Sequence, residues 1–170
     1  MADGHAAPLA GVSEHQWELC KEALTMALYV AICLMAALIA IPESAETHTT
    51  VWELIWGVTL GLALAHWFAF RVSARMVGAG TIRASDLDLA AAQLLGAAGV
   101  AVSVSLGVLL LPDSVELEGA EFLLAALISL IGFTVARGAG ASLVRALVYA
   151  LFVLACAVTI AVLKNLLAGH

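Results

Sequence analysis

The chain has 170 residues, of which 64% are apolar and only 12% charged, and its mean hydropathy is +1.07. Soluble domains run at about 45–50% apolar and about 25% charged, and a chain this short has too much surface per unit volume to hide the excess. A water-soluble globule is therefore excluded, lipid is the expected solvent, and a net charge of −6 leaves no basic face for nucleic acid.

Residues 1–12 are small and polar-leaning and read as a flexible N-terminal tail. They lack the basic stretch that opens a signal peptide, so no removal is expected. Residues 13–170 read as one transmembrane helical domain. Ser13 opens the first helix: its hydroxyl can accept from a first-turn amide while Gln16 reaches back, the reciprocal pattern of a capping box. Glu14, Glu18, Lys21 and Glu22 keep the first two turns wet. Residues 23–41 are apolar except for Thr25 and cover about 28 Å as a helix, enough to span. Pro42 stops this span, because proline lacks the amide and restricts the residue before it.

A short acidic loop follows, and Thr50 with Glu53 forms a second capping-box pattern at the start of a span over 51–70. Arg71 and Arg75 end it in the headgroups. The next loop carries Gly78, Gly80 and Arg83. Ser85, Asp86 and Asp88 then signal a helix start, with a third span over 87–111 that Pro112 closes. Another acidic loop leads to residues 122–136. That apolar run is short for a span, although Glu121 and Arg137 can snorkel outward and stretch it; a re-entrant segment is the competing reading. Arg137, Gly138, Gly140 and Ser142 make a tight turn into a fifth span over 146–163, with Arg145 and Lys164 at its ends.

The charges set an expected threading. Arg71, Arg75 and Arg83 fill the second loop and Arg137 and Arg145 the fourth, whereas the first and third loops hold neither lysine nor arginine. The positive-inside rule makes the even loops cytoplasmic and these five arginines cytoplasmic anchors. With five spans the N-terminus is inside and the C-terminus outside. There is also a faint internal repeat: residues 38–44 resemble 109–114, and each precedes an acidic loop and a span that ends at arginine. Spans one and two would then match spans three and four in parallel. A high Ala, Gly and Val content and five arginines to two lysines hint at a bacterial inner-membrane protein.

The second span holds most of the residues able to carry chemistry. At about 100° per residue, Trp52, Trp56, Thr59, Ala63, His66 and Phe70 share one face, and Glu53, Gly57, Leu60, Leu64 and Arg71 share another, with Gly61 beside them. Gly57 and Gly61 are a GxxxG pair that lets a helix approach closely, in cis or in trans; Gly99, Ser103 and Gly107 repeat the small-xxx-small pattern in the third span. Glu53 is either a cation or proton site facing a vestibule or the third residue of a cap near a helix N-terminus. His66 is either a group that titrates near neutral pH or a hydrogen-bonded interfacial histidine. Trp52, Trp56 and Trp67 form aromatic belts, with a tryptophan ligand site as the sharper alternative for the first two. Gln93, Ser103, Ser105, Ser129, Thr134 and Thr159 line a polar pore or bond to neighbouring helices and to their own backbone. On the outer side, Glu43, Glu46, Asp113, Glu116, Glu118 and Glu121 either ring a mouth that concentrates cations or are scattered solvated charges.

No ionisable residue falls near the middle of any expected span, which argues against an ion-coupled transporter. There is no hydrolase or zinc motif and no histidine pair for haem, so neither catalysis nor a metal or other cofactor is expected. Cys20, Cys33 and Cys156 are too scattered for a thiol pair. The expected fold is all-α, a compact bundle of five transmembrane helices; if the repeat is genuine, these are two similar hairpins plus a fifth helix. Five helices leave little room for a private pore, so passive, cation-leaning movement of ions or small solutes implies a homo-oligomer. The alternative is a non-transporting module that assembles with a partner membrane protein.

Overall fold

A computed structural model of the chain describes residues 13–41, 48–77, 84–112 and 115–168. Among these residues there are five helices and no strand: α1 (Glu14–Leu38), α2 (His48–Val77), α3 (Ala84–Leu109), α4 (Glu116–Gly138) and α5 (Leu143–Ala168). Each is long and apolar enough to cross a bilayer. The tail 1–12 lies outside the described residues, as do Glu43, Glu46, Pro42, Arg83 and Asp113.

The local signals explain where several helices begin and end. Ser13 caps α1 as its sequence implies: its Oγ accepts from the Gln16 amide at 3.2 Å, and Gln16 Oε1 accepts from the Ser13 amide at 3.1 Å. Before Pro112, α3 tightens into two shorter-range bonds, Leu110 N–H to Gly107 O and Leu111 N–H to Val108 O. Gly140 ends α4 at φ 79°, where only glycine sits without cost. The amide of Ala141 bonds back to Ala136 O and that of Gly140 to Arg137 O, the paired bonds of a Schellman stop. Arg137 also donates to Ala141 O at 2.7 Å, closing the turn before α5.

Three sequence expectations change. The fourth segment is not fifteen residues over 122–136 but a 23-residue helix, which sets aside the re-entrant reading by length. Glu116 and Glu118 were assigned to the loop, yet acidic side chains are favourable in a first helical turn, beside the positive end of the helix dipole, and they extend α4 backward. Second, α2 begins at His48, so Thr50 lies inside the helix and Glu53 is not the third residue of a capping box. Third, α5 starts at Leu143, three residues ahead of the expected apolar span, whereas α3 starts at Ala84, one residue before the start signal at Ser85.

Helix α1 is the hub and touches all four others, with its closest partner α3. Its buried row is Met26, Ala27, Val30, Ala31, Leu34, Met35 and Leu38, the three-and-four spacing of one helix face. It meets Ala97, Ala101, Val104 and Val108 of α3 and Ala120, Leu124 and Ile128 of α4. Helix α4 buries every fourth residue from Glu116 to Ala136, and α5 lays an alanine row, Ala146, Ala150 and Ala157, against the bundle. Small residues let these two helices close up: a methyl on Gly132 would meet Val153 Cβ at 3.2 Å and Ala150 Cα at 3.3 Å. Such packing substitutes for the hydrophobic effect, which does not drive helix association inside lipid. Helices α2 and α4 each pack on both α1 and α3 but scarcely on each other. Helix α5 packs against α4 and α1.

Candidate functional site

The most connected polar feature lies toward the arginine-rich end of the bundle, where the N-terminal part of α1, the second half of α2 and the first half of α3 come together. His66 Nε2 lies 2.8 Å from Gln93 Oε1, and Gln93 Nε2 donates to Glu22 Oε2 at 2.7 Å. The chain joins α2 to α3 and α3 to α1. Its polarity follows from what each group can do. A carboxylate only accepts, so the Gln93 amide must turn its NH₂ to Glu22 and its oxygen to His66, and His66 must donate from Nε2. Each residue sits on a helix, so backbone geometry rather than a loop sets the register. Glu22 and Gln93 are half-buried and His66 is exposed.

The sequence had placed Glu22 among the wet residues of α1, with nothing linking it to Gln93 or His66. The structure brings the three together, with His66 hydrogen-bonded to Gln93. The missed signal was a carboxylate immediately before the apolar run 23–41, which called for a partner; its identity depends on the α1–α3 register. Gly96 sets that register and was also missed. A methyl on it would collide with the Ala23 carbonyl oxygen, with the carbonyl carbon at 2.9 Å and Cα at 3.1 Å. Ala92 and Gly96, four apart on α3, were the available small-xxx-small signal.

Around this chain stand two weaker polar contacts. Arg71 lies over the Trp67 ring, 5.0 Å from its centre, as expected for an interfacial belt. His15 Nε2 and Asp88 Oδ2 are 3.7 Å apart and both well exposed, at the rim of a shallow groove also lined by Cys20, Ala23, Ala92 and Leu95. Such an exposed pair contributes little to stability. No trio of His, Cys, Asp or Glu suited to a metal occurs among the described residues.

The remaining candidates separate. Thr59 is 3% exposed and its Oγ1 donates to Ile55 O at 2.6 Å, so it belongs to the core of the subunit. Ser103 is exposed and donates to Gly99 O at 2.7 Å; Thr134 and Thr159 likewise bond to their own helices. Ser105 is buried, and its Oγ has no partner among the described residues. Trp52 packs against the core while Trp56 faces outward, which divides the expected tryptophan pair. Glu53 is exposed. Of the outer acidic set, Glu118 is exposed and Glu121 half-buried, but Glu116 is only 3% exposed. Glu116 is therefore not a solvated mouth residue; as the first residue of α4 it falls on that helix's buried four-residue row.

Of the expected packing glycines, some are in close contact within the subunit and others are not. A methyl on Gly57, Gly61 or Gly99 would meet nothing within 4 Å, so none of these glycines brings two helices of the subunit together. Of the residues expected to pack helices in α3, Gly107 does so, against the Leu123 side chain of α4. For the two α2 glycines the physical reason is that, among the described side chains of α2, the buried ones are Val51, Ile55 and Thr59, all in its first half. From Leu60 to Ser73 none of its residues is buried, and all six from Leu64 to Ala69 are exposed.

No protein-family model, curated protein or solved structure matches this chain. The fold defines the class: a polytopic, all-helical membrane protein of five candidate spans.

Proposed function

We propose that this protein moves ions or small solutes passively, with a preference for cations, as a homo-oligomer whose path runs between subunits. The observation that carries the reading is a contrast within one subunit. Its interior is filled by Leu34, Leu38, Ile55, Leu124, Ile128, Val104 and Val108, all essentially without exposure, while Glu53, His66 and Ser103 reach the surface of apolar helices. Polar and ionisable side chains are costly against hydrocarbon and usually face a bundle interior or a water-filled cavity. The uncovered glycines of α2 leave room for another helix to approach that surface. The reading is non-enzymatic and involves no cofactor.

The proposed setting is a cell membrane, with the arginine-bearing loops cytoplasmic, the N-terminus inside and the C-terminus outside. A cysteine introduced at Ser44 should then react with an impermeant reagent from outside, and one at Ser85 should not; the reverse pattern overturns the threading. For permeation, purified protein in liposomes should carry cations above the rate of empty vesicles, and Glu53→Gln should reduce that flux. Absence of flux across several cations and pH values overturns the proposal.

A second reading is supported by the chemistry of the same face. Between Glu53 and Arg71 it presents Gly57, Leu60, Gly61 and Leu64, with Leu60 and Leu64 54% and 64% exposed. That is a surface for a partner membrane protein as much as for a second copy. Absent flux together with a distinct protein recovered on this face would favour it.

A further inference from the structure

We infer that the Glu22–Gln93–His66 chain is a proton-responsive latch that docks the second half of α2 onto the bundle. Past Thr59 no described side chain of α2 is buried; Leu62 packs half-buried against the core, and all residues from Leu64 to Ala69 are exposed, so apolar packing holds this half only lightly. His66 supplies a directed attachment there, and it reaches α1, the hub, through Gln93. The latch contains two groups that change charge, separated by one neutral amide. When His66 gains a proton its Nε2–H still donates to Gln93, so the hydrogen bonds survive, and a positive charge now lies one side chain away from the Glu22 carboxylate. In a membrane the attraction is weakly screened. Protonation therefore tightens the latch, and loss of the proton leaves α2 held by hydrogen bonds alone.

The neighbouring charges do not take over this role. Toward the arginine-rich end the charged groups and histidines with described side chains, apart from His66 itself, are Glu14, His15, Glu18, Lys21 and Glu22 on α1, Arg71 on α2, Asp86 and Asp88 on α3, Arg137 on α4 and Arg145 on α5. Arg71 lies over Trp67, Arg137 donates to Ala141 O, and Asp88 faces His15. Of this set, Glu22 is the group the hydrogen-bond chain connects to His66.

Spin labels at the exposed positions Phe68 on α2 and Val135 on α4 report the docking directly. They would be placed in the full chain in liposomes, with the native cysteines replaced by serine, and their separation measured between about pH 5 and pH 8. The unsubstituted latch should give one narrow distance distribution at the acid end and a broader or longer one at the alkaline end. Glu22→Gln keeps an acceptor for Gln93 but removes the charge, so its distribution should not change with pH. His66→Leu should be broad throughout. A distribution that is independent of pH with the latch intact, or a Glu22→Gln chain that responds as the unsubstituted one does, overturns the inference.

Discussion

Replacing Gly96 with alanine should destabilise the fold by about 3 kcal/mol or more, and replacing it with leucine should prevent α1 and α3 from docking. Overpacking a core costs about 1–3 kcal/mol when side chains can move aside. Here the obstacle is the Ala23 carbonyl, part of the helical backbone of α1, which cannot rotate away. Relief requires α1 and α3 to separate along the most extensive helix contact in the bundle, which would also pull Glu22 away from Gln93. The opposite is expected at Gly57, where an added methyl meets nothing within 4 Å. Since alanine favours a helix by about 0.8–1.0 kcal/mol over glycine, Gly57→Ala should leave the subunit's stability unchanged or slightly higher. Equilibrium unfolding in mixed micelles, read by helical circular dichroism, checks both.

Gln93→Leu should be the most damaging single change among the polar residues, at about 1–3 kcal/mol. It removes two hydrogen bonds at once and leaves the half-buried Glu22 carboxylate without the amide that satisfies it. Stranding a buried acceptor costs more than a typical hydrogen bond contributes, because the desolvation is no longer offset. The same logic predicts partial rescue: Glu22→Leu added to Gln93→Leu removes the stranded charge, so the double variant should be more stable than Gln93→Leu alone. Unfolding of the two single variants and the double variant gives the coupling; strict additivity would mean that the two side chains do not interact.

The number and order of the helices were legible because they depend on composition and local chemistry. Runs of apolar residues bounded by Pro112, Ser13 and the Gly138–Gly140 turn need no knowledge of tertiary contacts. What failed was the reading of polar first turns. Glu116 and Glu118 looked like loop because they are acidic, although that makes them good helix starters. The packing glycines were less legible. Gly57 and Gly61 carry the better-known spacing, yet the structure places the tight approaches at Gly96 and Gly132. Spacing shows that a face is small, and which neighbour occupies it depends on how the helices are arranged. Likewise His66 and Gln93 were visible as isolated polar residues, 27 apart in sequence, and Glu22 lies 71 from Gln93. No local pattern spans such separations.

The central claim is that copies of this chain meet through the uncovered face of α2. The most direct measurement is the subunit stoichiometry of the protein in lipid bilayers, counted by single-molecule photobleaching, beside a Gly57→Leu/Gly61→Leu double variant. Because a methyl on either glycine meets nothing within 4 Å among the described residues, the double variant should fold normally. A defined oligomer for the unsubstituted chain and monomers for the variant is the predicted result. Monomers for both, or the same oligomer for both, would contradict assembly through this face.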